Sequence, residues 1–209
     1  MGVRELRVLV LFAIGLLIGC TKPDHHWADV ERDARAGDAN AQLELGLHYL
    51  YGSDIAKDSV RAKHWLELSA AQHFPAGQYH LAQLYLEQHD AASRAQALVL
   101  LRAAHVAGEA MADHSLAELL ATSAGGNRED GQWAVSVLEP GLREDISADA
   151  EEFELLAAAY ARAGRFAEAV GAQRHAVVDV DCRCKKDILR KRERRLASYQ
   201  RGETWNESL

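Results

Sequence analysis

Histidine and cysteine are the side chains of this 209-residue chain with the most chemistry to offer. The ten histidines are scattered, and none lies three or four residues from another, the spacing that presents a metal-binding pair on one helical face. His25 and His26 are adjacent, but two ligands on a flexible segment make a poor metal site. The chain has no glycine-rich phosphate loop, no HExxH motif and no GxSxG motif. We therefore expect no metal, no cofactor and no catalytic residue.

Cys182 and Cys184 are separated only by Arg183. On a helix, side chains two residues apart point in different directions, so a disulfide requires a loop there, and it would be strained and easily reduced. One interpretation is a local loop disulfide or a pair of inert thiols. The other is a redox or intermolecular role.

Cys20, the third cysteine, follows an apolar run. Arg4 and Arg7 precede this run, which covers residues 8–18 and is shorter than the roughly 20 residues that cross a bilayer. The pattern predicts a secretory signal peptide. Its end, Leu17-Ile18-Gly19-Cys20, resembles the bacterial lipobox. The resemblance implies cleavage before Cys20 and acylation of its thiol, with chains such as palmitate. The alternative is an ordinary signal peptide with a chance cysteine.

A lipid on the first mature residue would anchor the chain to a membrane, because two or more acyl chains bind a bilayer stably. Residues 20–27 then form a lipidated tether. In the lipoprotein family, Thr21 rather than aspartate after the cysteine favours the outer membrane. We expect a lipid-anchored protein of the bacterial cell envelope that faces the periplasm.

The net charge of −7 argues against nucleic acid as a partner, because phosphate backbones require a basic surface. The stretch 183–195 alone carries a balance of +6, which leaves −13 on the rest of the chain. This basic stretch is interpreted as a solvated helix attracted to the acidic body. A contact with anionic lipid head groups is the alternative.

The chain also contains repeated segments with apolar residues at helical spacing, here called phrases. Leu45, Leu81 and Leu116 occupy matching places in three segments, at offsets of 36 and 35 residues. A second phrase, beginning at Ala62, recurs at Ala97. Turn residues separate the phrases, so each unit is a pair of amphipathic helices that must stack on its neighbours. Small residues at matching positions predict close helix approaches (Gly46, Ala82, Ala117).

The first unit resembles a Sel1-like repeat, through residues 36–46, Tyr51-Gly52 and residues 58–65. Asp54 stands where a second glycine is usual, and His73 where glycine is typical of the next unit. Residues 153–176 resemble a tetratricopeptide repeat, with Tyr160 and Gly164 among the matching positions. Both families imply an all-α fold, an α-solenoid of stacked helix-turn-helix repeats.

The sequence therefore divides into five predicted parts. They are a signal peptide (1–19), the tether (20–27), Sel1-like repeats (28–144), a tetratricopeptide-like repeat (145–180), and a basic capping helix with its tail (181–209). Ile188, Leu189, Arg192, Leu196 and Tyr199 form one stripe of the capping helix, which we expect to cover the last apolar face.

In repeats of this kind the first helix of each pair lines a concave face. The matched positions place a set of partner-groove candidates there: Leu43, Leu47, Tyr51, Tyr79, Gln83, His114, Glu118, Glu154 and Arg162. The alternative is that several of these residues pack within or between repeats. The resemblance implies a non-enzymatic adaptor that binds a protein or peptide partner in the periplasm. The rival hypothesis is an envelope hydrolase acting on cell-wall or β-lactam-type substrates.

Overall fold

The computed structural model describes residues 25–53, 55–123, 125–144, 149–178 and 186–205. Within these ranges the chain forms helices and no strand, which confirms the predicted all-α class. The helices are α1 (His25–Ala36), α2 (Ala39–Tyr51), α3 (Ser59–Ala71), α4 (Pro75–Leu86), α5 (Ala91–Val106), α6 (Ala110–Thr122), α7 (Arg128–Glu144), α8 (Ala150–Arg162), α9 (Phe166–Val178) and α10 (Lys186–Gln200).

The chain divides into two compact units, Met1–Ser69 and Ala70–Leu209, here called unit 1 and unit 2. The predicted signal peptide and Cys20 lie outside the described residues, as do Cys182 and Cys184. Helix α1 begins at His25, three residues before the predicted start of the repeats at 28. No helix in the described ranges has the length and apolar character needed to cross a membrane.

Unit 1 is held by a tight turn and a close helix contact. Asp38 caps α2 by accepting a hydrogen bond from the backbone N–H of Ala41 at 2.7 Å, so one otherwise unpaired donor is satisfied. A Cβ on Gly46 would lie 2.9 Å from Cγ of Leu66, which is closer than side chains approach. Gly46 thus lets α2 and α3 pack, as its size predicted.

The turns of the repeats need left-handed backbone. Gly52 ends α2 with φ of 75°, and its N–H bonds to the carbonyl of His48. His73, where glycine is typical, adopts φ of 58° before α4. A residue with a Cβ is strained in this conformation, so the turn forms with histidine but is less stable than it would be with the usual glycine. Asp54 lies outside the described residues.

Unit 2 is a stack in which each of the helices α4 to α9 contacts its neighbour, and α6 also contacts α8. Such contacts between the first helices of successive pairs are what a solenoid requires. One buried cluster surrounds Leu101 and Leu116, and a second surrounds Leu156 and Tyr160. Ala82 and Ala117 are fully buried, as predicted for close-approach positions.

Helix α10 packs on α9, and it buries Arg192 in its middle and Tyr199 in its last turn. Tyr199 is 1% exposed and belongs to the second cluster, which agrees with a cap. Ile188 and Leu189, however, are 44% and 39% exposed, so the predicted apolar stripe was wrong at its beginning. The packed stripe begins at Arg192, because the guanidinium finds buried hydrogen-bond acceptors there.

Candidate partner-binding groove

Three adjoining cavities open on unit 2, and together they are called the groove. The central cavity has a volume of about 390 Å³ and shares Glu118 and Thr122 with a cavity of about 360 Å³ on the α4 side. It also shares His114, Glu152 and Leu155 with a smaller cavity of about 170 Å³. The two larger cavities are walled mainly by α4, α6 and α8, the first helices of consecutive pairs, and α7 forms much of the wall of the smallest cavity.

The cavity on the α4 side combines polar and apolar walls. The amide of Gln83 donates a hydrogen bond to the hydroxyl of Ser115 at 2.8 Å, which fixes both side chains across α4 and α6. Leu86 and Leu119 supply apolar surface beside them. This end therefore offers a mixed surface of the kind that accommodates a peptide backbone.

Carboxylates line the central cavity. Glu118 comes from α6, Asp149 precedes α8, and α8 itself contributes Glu151, Glu152 and Glu154. The backbone N–H groups of Glu151 and Glu152 donate to the Asp149 carboxylate at 2.9 and 3.0 Å. Glu152 in turn accepts from the N–H of Asp149 at 3.3 Å, which completes a capping box. Since the positive end of a helix dipole favours carboxylates, the first turn of α8 tolerates this density of charge.

Glu154 is neutralised from within the chain. Arg192 and Arg195 each donate to one of its oxygens, and all three side chains are largely shielded from solvent. Arg192 also donates to the carbonyl of Ala176 at 3.1 Å. These contacts attach α10 to α8 and α9, so the basic helix does contact acidic residues of the body.

The central cavity still carries a net negative charge. Five carboxylates and one guanidinium line it, and with Arg192 behind Glu154 the local formal charge is −3. Glu118 and Glu151 are exposed, and neither forms an ion pair with any residue that the structure describes. The unbalanced charge thus faces solvent.

The smallest cavity is mainly apolar. Val137, Leu138 and Leu142 of α7 line it together with Leu155 of α8. It opens beside the carboxylates, because Glu152 and His114 belong to both cavities. A negative region and an apolar region are therefore contiguous.

The structure brings some of the predicted groove residues together. Gln83, His114, Glu118 and Glu154 all line the groove. Tyr79 is half-buried and packs against the cluster around Leu116, so it agrees with the alternative of a packing role. In unit 1, Leu43 is buried, Leu47 is half-buried and Tyr51 is 68% exposed.

Arg162 does not line the groove, contrary to its predicted placement there. Its side chain is buried, and it donates to the carbonyls of Ala121 at 3.1 Å and Ser123 at 2.5 Å. It thereby satisfies backbone acceptors at the end of α6, which would otherwise lack partners. Burial lowers the pKa of this guanidinium. Arg162 is a structural residue, and none of the three cavities is lined by it.

Sequence reasoning missed much of the wall, namely Asp149, Glu151, Glu152, Leu155 and Trp205. The spacing Asp149-x-x-Glu152 is a capping-box signature and could have located the beginning of α8. Nothing local indicates that Trp205, far along the chain, returns to this cavity. In the described ranges, no three His, Cys, Asp or Glu side chains are arranged to hold a metal ion.

Comparison with known proteins finds one repeat family and solved structures of repeat proteins. A family model for the Sel1 repeat matches residues 39–74, which include α2 and α3. A Sel1 repeat protein from Oxalobacter formigenes is similar at 21% identity, over 63% of this chain and 96% of that chain, with a TM-score of 0.47. No curated protein matches the chain.

A second solved structure is c5321, a protective antigen present in uropathogenic Escherichia coli strains that displays an SLR fold. It is similar at 23% identity over 85% of this chain, with a TM-score of 0.51. This chain covers 37% of that protein, and the likeness shows the fold alone. Sel1 repeat proteins generally mediate protein–protein interactions. The chain is an all-helical protein in which residues 39–74 match the Sel1 repeat.

Proposed function

We propose that this chain is a lipid-anchored adaptor of the bacterial cell envelope that binds a protein or peptide partner through the groove of unit 2. The observation that carries the proposal is the continuity of the three cavities, the two larger of which run along α4, α6 and α8. Solenoid repeats use such surfaces, built from rigid helices, to bind extended partners.

The anchor is supported by the N-terminal sequence. Residues 8–18 form the apolar core of a signal peptide, and Gly19-Cys20 ends it as a lipoprotein signal does. Acylated Cys20 would hold the chain on a membrane, and Thr21 favours the outer membrane, facing the periplasm. A short tether would leave the groove free for a periplasmic partner.

Site-specific photocrosslinking in living bacteria tests the groove. p-Benzoylphenylalanine replaces Glu118, an exposed residue that lines two of the cavities. The matched control places it at Glu129, an exposed glutamate on α7 that lines none of the three. We expect a covalent adduct of defined mass from position 118 alone. Equal adducts from both positions, or none from either, would contradict a partner-binding groove.

Metabolic labelling with an alkynyl fatty acid tests the anchor. The wild-type chain should incorporate the label, and Cys20→Ala should lose it, since the thiol is the acylated group. Cys182→Ala is the control and should keep the label. Label retained on Cys20→Ala would exclude this anchor.

A turnover assay separates the adaptor from the hydrolase hypothesis. Purified chain is incubated at high concentration with cell-wall fragments and with a β-lactam. We expect no product beyond the uncatalysed rate, because an adaptor binds its partner without converting it chemically. Product that disappears with Glu118→Gln would overturn the proposal.

A further inference from the structure

We propose that the groove of unit 2 recognises a cationic peptide segment in which a lysine or arginine lies next to an apolar residue. The basic side chain would meet Glu118, Glu151 and Glu152 in the central cavity, and the apolar one would enter the adjoining small cavity. This inference rests on the proposed function, because it names the chemistry of the partner.

The charge of the central cavity is the first argument. Its local formal charge is −3, and neither Glu118 nor Glu151 is paired with any residue in the described part of the chain. Complementary charge on a partner would attract it and orient it in the groove. An anionic ligand is disfavoured although a helix begins here, because the Asp149 carboxylate already accepts the N–H groups of Glu151 and Glu152.

The chain itself supplies the second argument. Arg195 lines the same cavity and donates to Glu154, so one guanidinium already occupies this wall. A partner's basic side chain would make the same kind of contact with the remaining carboxylates. Trp205 also lines this cavity and adds aromatic surface beside the carboxylates.

The apolar neighbour is the third argument. The small cavity has a volume of about 170 Å³, well below the roughly 300 Å³ at which independent ligand pockets begin. It suits one side chain of a longer ligand. Because Glu152 and Leu155 border both cavities, the basic and apolar side chains must be near each other on the partner. This excludes a purely polycationic segment as the preferred ligand.

Fluorescence anisotropy with designed peptides tests the inference on the full chain in mild detergent. The probe is a labelled peptide of repeated Leu-Lys-Gly. One comparison peptide replaces lysine with glutamate, and another replaces leucine with alanine. We expect the probe alone to bind measurably, and about 0.5 M salt to weaken it strongly by screening exposed charges.

Substitutions of single glutamates test whether the probe peptide binds in the central cavity. Glu151→Gln should weaken the probe about two- to fivefold, as the loss of one exposed ion pair predicts. Glu129→Gln is the matched control, because Glu129 holds the same place in the first turn of α7 and lines no part of the groove. It should leave affinity unchanged. Glu152→Gln keeps a side chain that can complete the capping box, so it separates charge from helix stability.

The outcomes distinguish this inference from the proposed function. Equal affinity for the lysine and glutamate peptides, or equal loss with Glu151→Gln and Glu129→Gln, would overturn the cationic preference. If no peptide binds while position 118 still crosslinks a partner in cells, the inference fails and the adaptor stands. If position 118 also yields no adduct, both fail.

Discussion

Gly131 sets how closely α7 approaches the turn between α8 and α9. A Cβ at this position would lie 2.4 Å from the amide nitrogen of Ala163 and 2.7 Å from the carbonyl carbon of Arg162. Both are backbone atoms, which cannot rotate aside as a flexible side chain can. Gly131→Ala must therefore displace α7 by about 1 Å to restore ordinary contact distances.

The cost follows from two opposing effects. Overpacking costs up to about 3 kcal/mol when the neighbour cannot yield. Alanine offsets about 1 kcal/mol of this cost, because its helix propensity is higher than that of glycine. We expect a net loss of about 2 kcal/mol in the free energy of unfolding.

Gly171→Ala is the matched control. Gly171 lies within α9 of the same unit, and a Cβ there would meet nothing within 4 Å. Only the helix preference remains, so this variant should gain about 0.5–1 kcal/mol. The separation of about 3 kcal/mol corresponds to roughly 6–12 °C in Tm, measured by circular dichroism on the full chain. Equal melting temperatures would refute the close approach.

Three further predictions concern single residues of unit 2. Tyr79→Ala should cost about 2–3 kcal/mol, because the ring packs on a buried cluster, and calorimetry should show this while affinity for the lysine probe is unchanged. His73→Gly should raise stability by about 0.5–1 kcal/mol in urea unfolding, since glycine adopts φ of 58° without strain. Burial lowers the pKa of His80, so on acidification the unfolded chain binds a proton at this imidazole before the folded chain does. Stability should then fall as pH drops below about 6.5, and His80→Gln should flatten that slope between pH 7 and 5; an unchanged slope would contradict it.

The repeats could be predicted from the sequence because their signal is local. Apolar residues at helical spacing, recurring every 35 or 36 residues, indicate paired helices without any knowledge of what they contact. Gly46 illustrates the same point, since a small residue inside an apolar phrase predicts the contact that Leu66 makes. The matching register also predicted Gln83, His114 and Glu118 on one surface, and in the structure all three line the groove.

The groove as a whole could not be predicted, because its walls depend on contacts between distant segments. Arg162 occupied a position equivalent to groove residues, and a charged side chain is ordinarily expected in solvent. It is buried because the end of α6 presents carbonyls that need a donor, a requirement visible only when α8 packs against α6. Trp205 reaches the central cavity only because α10 returns along α8 and α9.

The density of carboxylates in the groove connects stability with binding. Like charges around one cavity repel each other, and the fold compensates only in part, through the Asp149 cap and through Arg192 and Arg195 on Glu154. Glu118 forms no ion pair within the described residues, and Glu151 is favoured only by the helix dipole at the beginning of α8, so part of the repulsion persists. Their charge costs the folded chain stability and is offset when a cationic ligand arrives. A partner of the chemistry inferred above should therefore raise the melting temperature of unit 2, and the rise should grow with the logarithm of the partner's concentration above its Kd.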